Sequence, residues 1–435
     1  MVKKIIGFLL IVWTGAISGG AAYADDLHYT NLLVGDRASG MAGAYTAVSD
    51  DATGLYYNPA GIAYITGRSM SASVNAYYDN EKTYKNVIGG NGWSRRSSSL
   101  LPNYFGVVQP LGKLKVGFSY AVPDSSMEDQ SQTFSDLRFS SNVVDPTNTL
   151  RITSYVINFN NEKNVYEVGP SVAVELADNL SAGLTLYYYQ DKQLQILTQI
   201  IKANNGGFET DYTNYHLTEQ GIRPILGFMW SPANDVSIGL AVSKIMILDS
   251  NAYQQFFTDR QNITFANDTT CDGTPVTNQS SRACFPAQIN SSFKREHPTQ
   301  VGLGVAWFPS QSLLISGDIN YFSAIKSQEQ NVAAVTNFAV GTEYYLTKNW
   351  AVRGGAYTNL ANTPQVKSGY ILQDEHIDIY GATASISHFT RNTSVTLGGG
   401  VNYGSGKAQI ISGSDTIQTA LSQGWMLFLS SSYSY

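Results

Sequence analysis

Leu114-Lys115-Val116-Gly117-Phe118-Ser119-Tyr120-Ala121-Val122 alternates without a break. Leu114, Val116, Phe118, Tyr120 and Val122 share one face, and Lys115, Gly117, Ser119 and Ala121 share the other. Tyr166–Leu176 repeats the pattern, setting Tyr166, Val168, Val172, Val174 and Leu176 against Glu167, Gly169, Ser171, Ala173 and Glu175. A period of two marks a strand lying between unlike surroundings. Here one side is bulky and apolar, and the other is small or charged. That suits a strand with lipid outside and a wet lumen inside.

Segments of this kind recur at about 69–78, 101–109, 113–122, 164–176, 180–191, 219–230, 235–244, 296–308, 312–322, 336–346, 349–358, 376–388, 393–403 and 423–435. Each approaches the ~9–11 residues that a tilted strand needs to cross a bilayer. The gaps alternate between tight (Pro110–Gly112, Ala177–Asn179, Ser231–Asn234, Pro309–Gln311, Thr347–Lys348, Phe389–Asn392) and long, the largest at about 123–163 and 245–295. Short periplasmic turns and long outer loops on an antiparallel barrel give this order, and an even strand count returns both ends to the periplasm. The sequence therefore predicts an all-β, fourteen-stranded antiparallel transmembrane β-barrel over 69–435. Leu150–Phe159 also alternates, but parity assigns it to an outer loop. Counting parity outward puts Trp230, Trp307 and Trp350 on the lipid face at the turn end. Tyr78, Tyr120, Tyr166, Tyr188 and Tyr321 fall on the same face at the other end, as two headgroup belts require.

The start of the chain carries Lys3 and Lys4, an apolar run Ile5–Trp13 and small residues ending at Ala24. This reads as a signal peptide over 1–24. Mean hydropathy of −0.14 does not argue against a barrel, because half of each strand is polar. The formal net charge is −6, and loss of Lys3 and Lys4 makes the remainder more negative, so no nucleic-acid partner is expected. Cys271 and Cys284 are the only cysteines. An even count in an exported chain points to a disulfide between them, and no His or Cys partner lies near enough for a metal. No cofactor is expected. Trp425, Leu427, Leu429, Tyr433 and Tyr435 occupy alternate positions. This ending resembles the signal read by the barrel assembly machinery during insertion.

Residues 25–68 do not read as strands. They run Gly35-Asp36-Arg37-Ala38-Ser39-Gly40-Met41-Ala42-Gly43-Ala44, then Asp50-Asp51-Ala52, then Asn58-Pro59-Ala60-Gly61. A barrel this wide has an open lumen unless something fills it, so the segment is expected inside as a plug. The motif resembles the hatch of the FadL/TodX-type outer-membrane transporters of hydrophobic compounds. The resemblance implies a fourteen-stranded barrel in the bacterial outer membrane, among lipid and lipopolysaccharide. It also implies a monomer that takes up long-chain fatty acids or aromatic hydrocarbons and releases them sideways through its wall. Asn58, Pro59 and Ala60 match the hatch tip beside the ligand pocket. The lateral gap falls in the third strand, with Gly117 as its kink. An apolar capture groove would come from outer loops 192–218 and 245–295, with Ile200, Ile201, Ile247, Leu248, Phe256 and Phe257 as contacts. Among lumen-facing charges (Glu167, Glu175, Arg223, Asp318, Glu343, Arg353), Arg223 and Arg353 are candidates for a carboxylate head group. Asp50 and Asp51 are expected to tie the hatch to lumen cations.

Other readings are weaker. His28, His216, His297, His376 and His388 sit in no nucleophile motif, so an enzyme is not expected. A plug argues against a diffusion porin. A protein-secretion or shuttle component built on a similar barrel is the alternative.

Overall fold

The structure is a computed structural model describing residues 27–88, 90–138, 143–264, 268–269, 271, 275–276, 279–327, 330–370, 373–410 and 416–434. The expected signal peptide and Tyr435 lie outside them. Fourteen strands form one closed antiparallel barrel. They are Ser69–Ile88, Asn91–Leu111, Leu114–Phe134, Arg151–Ala177, Leu180–Ala203, Phe208–Ala233, Val236–Lys244, Thr299–Ser310, Leu313–Phe322, Val335–Thr347, Trp350–Asn359, His376–Phe389, Thr393–Ala408 and Gln418–Ser434. Each pairs with the next, and the last returns to the first with Ser69 opposite Ser434 and Tyr84 opposite Ala420. The expected tight connections coincide with hairpin turns, and the alternation puts Phe118, Leu226, Leu303, Val340 and Leu397 on the outer surface. Trp230, Trp307 and Trp350 are exposed at the turn end. At the other end Tyr188 and Tyr321 are exposed, and Tyr120 stacks on Tyr166 at 6.4 Å.

The structure corrects the outer loops. All of Leu150–Phe159 except Leu150 itself belongs to the strand Arg151–Ala177, and much of 123–163, 192–218 and 245–295 is also strand. After a break at Ile245 the seventh strand resumes as Met246–Gln261, which pairs with Arg282–Ser291. Beyond the membrane the sense of the pattern inverts. Ile157, Phe159 and Val165 are buried toward the interior while Asn158 and Asn160 are exposed, because water has replaced lipid outside. A reading that looks for apolar residues facing out stops at that boundary. Bulges account for two further corrections. Tyr78 pairs across from Ser99 and from buried Met426, so it lies on the inner face. Val122 is buried where the register shifts between Ala121 and Asp124, leaving Val122 and Pro123 opposite Tyr166.

Residues 27–68 fold within the barrel as the short helices Asp36–Gly40 and Gly54–Tyr57 and the 3-10 turn Pro59–Tyr64. Short helices leave backbone N–H and C=O groups without internal partners. The lumen face of the wall supplies those partners. Asp318 accepts from the Tyr45 and Thr46 amides at 2.9 and 2.8 Å. Thr185 donates to the Leu55 carbonyl at 2.7 Å, Ser181 to Ala60 at 2.9 Å and Asn103 to Leu33 at 2.8 Å. The ionic tie reverses the expected polarity. The hatch contributes the cation, Arg37, which donates to the wall carboxylate Glu343 at 2.9 and 2.8 Å. Asp50 pairs with Arg37 rather than with a lumen cation, and Asp51 accepts from the Thr53 amide at 2.8 Å. Wall glycines give the hatch backbone room. A Cβ at Gly183 would lie 2.4 Å from the Pro59 carbonyl carbon. Gly35 both adopts φ +80° and leaves room for Thr53, where an added Cβ would fall 2.2 Å from its methyl.

Placing charge on the lipid face should be costly. Val340→Arg, at a position 58% exposed in mid-strand, should lower stability by about 2–4 kcal/mol in urea-dependent refolding into vesicles, and an unchanged midpoint would contradict lipid contact there. Gly183→Val should dislodge the hatch and raise ion conductance in planar bilayers, whereas a variant as tightly sealed as the parent would show that the hatch does not press on that strand.

Candidate functional site

Between the hatch and the outer strand extensions lies a cavity of about 1760 Å³. Its floor includes Leu32, Leu33, Ala42, Tyr56 and Tyr57 of the hatch. Its walls include the inverted faces of the extensions, with Trp93, Ile157, Phe159, Leu197 and Leu217 among them, and Ile225 from the lumen face below. On one side Trp93 packs edge-on to Phe159 at 6.3 Å, and the Arg95 guanidinium lies 4.5 Å over the Phe159 ring. On another, Tyr189 meets His297 edge-on at 5.6 Å. Space of this size, mostly apolar with a few fixed polar groups, is the form of a small-molecule site.

The buried charges of this cavity near the hatch and along its walls are held in pairs. Arg223 donates to both oxygens of Glu167 at 2.9 Å and to Gln300 at 3.1 Å, and it lies 5.2 Å over the Tyr56 ring. Arg295 bridges Asp191 and Glu219 at 2.7 and 2.6 Å. Lys163 pairs with Asp124 at 2.7 Å and Arg95 with Glu128 at 2.7 Å. At the outer mouth burial pushes the Glu209 carboxyl up to about 7, with Asp211 adding to the effect, while Arg260 at 3.7 Å acts against it.

The structure divides the residues expected at the site. Ile201, Phe256 and Phe257 line the cavity. Ile200 does not. Ile247 and Leu248 also lie outside the lining, and Leu248 is strongly exposed. Asn58, Pro59 and Ala60 are buried against the wall rather than at the cavity. The Asn58 amide donates to Phe228 and Thr46 carbonyls at 3.1 and 2.8 Å, so this tip seats the hatch, and the adjacent Tyr56 and Tyr57 face the space. Arg353 is also outside the lining. It is buried with Glu343 at 2.5 Å and with Ser387, and only Arg223 of the two head-group candidates reaches the cavity. Cys271 and Cys284 are bonded, with an S–S distance of 2.07 Å. Sequence reasoning missed Tyr56, Trp93, Phe159 and Tyr189. For Phe159 a signal existed in the apolar series Tyr155, Ile157, Phe159 set between Asn158 and Asn160.

The wall is interrupted beside this space. Gly117 lies in unbroken register, opposite Val108 and Ser171, and an added Cβ would strike Leu55 of the hatch, so its smallness serves packing. The irregularity comes later in the same strand. Between Asn91–Leu111 and Leu114–Phe134 the ladder pairs Tyr104 with Ala121 and Ser97 with Glu128, and no pair is formed between these. Pro102 and Pro123 have no N–H to offer in this interval. Leu100 and Met127 stand exposed on it, and Pro123 and Asp124 line the cavity. The Pro123 carbonyl accepts instead from the Leu32 amide of the hatch segment at 3.1 Å.

No family model matches the sequence, and no curated protein matches it. Solved structures do. The Pseudomonas putida toluene transporter TodX is similar at a TM-score of 0.59 and 12% identity, over 94% of this chain and 99% of that one. The Ralstonia pickettii toluene transporter TbuX gives 0.58 and 14%, over 94% and 99%. A Pseudomonas aeruginosa FadL homologue gives 0.57 and 14%, again over 94% and 99%. At such identities the likeness speaks to architecture, and the chain has the fold of the FadL-type channels.

Proposed function

We propose that this protein is an outer-membrane uptake channel for hydrophobic compounds, collecting them in the cavity and releasing them sideways through the interrupted wall. The observation that carries the proposal is the adjacency of three features: an apolar-lined cavity, a sealed floor and a gap in the ladder at Val122–Met127. A solute entering from the outer face meets a lining that is mostly apolar, with its charged groups largely paired to one another. The hatch blocks the straight path to the periplasm. The gap opens the wall at the outer headgroup level, just beyond Tyr120 and Tyr166, where a solute can pass down into lipid. Each methylene moved from water into hydrocarbon contributes about 0.8 kcal/mol, so net movement needs no external energy source. The resemblance of the hatch motif and the channel fold of TodX and TbuX support the same reading.

The bulge supplies the test. Deleting Pro102 and Pro123 together takes one residue from each side of the gap, so that the pairs Tyr104 with Ala121 and Ser97 with Glu128 stay in register. It removes the bulges against Ser69–Ile88 at Ser73/Val74 and against Arg151–Ala177 at Ala121/Asp124, and should close the gap while leaving the cavity in place. Uptake of toluene into proteoliposomes should then fall by tenfold or more, with toluene binding retained. Uptake at the parental rate would contradict lateral release.

A further inference from the structure

We infer that Glu167 is the residue that sets the charge selectivity of the cavity, reserving it for uncharged solutes. This rests on the uptake reading and narrows it. Arg223 lies against the hatch floor, held over Tyr56 at 5.2 Å. In that place it would be suited to receive a ligand carboxylate, since a guanidinium binds carboxylate through paired N–H groups. Glu167 already occupies the position. Both of its oxygens accept from Arg223 at 2.9 Å, and Gln300 takes a second guanidinium nitrogen at 3.1 Å. The carboxylate is 1% exposed, so an arriving anion would have to displace a buried partner rather than a solvated one.

The remaining cavity cations offer no alternative. Arg95 is committed to Glu128, Lys163 to Asp124, and Arg295 to both Asp191 and Glu219. Arg282 stands in the field of Glu209 and Asp211 at the mouth. Arg138, Lys244 and Lys367 face solvent, where their attraction for an anion is screened. An anionic ligand would therefore lose its hydration without gaining a counter-charge, while a neutral hydrophobe loses nothing of that kind. Glu167 acts here through Arg223, as a positioning residue for selectivity.

The test is equilibrium dialysis of the full chain in nanodiscs at pH 8 with labelled toluene or labelled dodecanoate. The parent should bind toluene and bind dodecanoate at least tenfold more weakly. Glu167→Gln exposes the Arg223 charge and should tighten dodecanoate about tenfold or more, the scale of one hydrogen bond to a charged group, with toluene unchanged. Glu167→Asp should leave the parental preference in place. The double variant Glu167→Gln/Arg223→Gln removes both charges, avoids a lone buried ion and should again prefer toluene. A parent that binds dodecanoate as tightly as toluene overturns the inference, as does a Glu167→Gln protein that keeps toluene without gaining dodecanoate. If Glu167→Gln does not fold, tight parental dodecanoate binding that vanishes in the double variant overturns it equally. A parent that binds neither probe would instead remove the uptake reading beneath it.

Discussion

An amide without a hydrogen-bond partner costs several kcal/mol in hydrocarbon, and this molecule is organised around avoiding that cost. Closure of the sheet is the solution. Pairing of Ser69–Ile88 with Gln418–Ser434 removes both edges and lets one face of every strand be apolar. The same closure creates a lumen wide enough to need filling, and the hatch fills it. The ladder lapses at the outer edge of the membrane, between Ser98 and Asn103 on one strand and Val122 and Met127 on the next. There prolines remove amides, and the Leu32 amide of the hatch segment meets the Pro123 carbonyl. The gap is thus a supported feature of the wall, placed where the cavity reaches it.

Wall and hatch specify each other residue by residue. The polar positions of each strand, which must point inward to escape lipid, are also the groups that satisfy the hatch backbone: Asp318 to Tyr45 and Thr46, Thr185 to Leu55, Ser181 to Ala60. Gly117 and Gly183 stand where hatch atoms come closest. Arg37, Glu343 and Arg353 form a buried charged group that spans the boundary between the two parts. Losing Glu343 would leave Arg353 buried without its counterpart.

The membrane-embedded part of the fold is legible in the sequence because lipid imposes one rule on every strand. Period-two alternation, the turns and the Trp belt all follow from it, and 101–109 and 376–388, where the alternation is less regular, are also strand. Above the lipid the rule changes sign, so Ile157 and Phe159 read as loop although their alternation is present. Bulges are invisible to parity, which is why Tyr78 and Val122 fall on the wrong face in the sequence reading and why Gly117 stands there for a wall irregularity that lies elsewhere. Lumen parity finds Arg223, but its partner is identified only by the register that sets Glu167 beside it across two strands. Asn58–Ala60 marks the hatch through family likeness, yet the side chains facing the cavity are the adjacent tyrosines.

The most direct measurement is hydrogen–deuterium exchange on the protein in nanodiscs, read over Leu33–Ile65. These residues are buried in the lumen, with the Tyr45 and Thr46 amides bonded to the wall and most of the others bonded within the hatch. They should exchange as slowly as the neighbouring strands, over hours rather than seconds. Complete exchange of this segment within seconds, beside protected strands, would mean that the barrel is not plugged by its own leading residues, and the cavity would lose its floor.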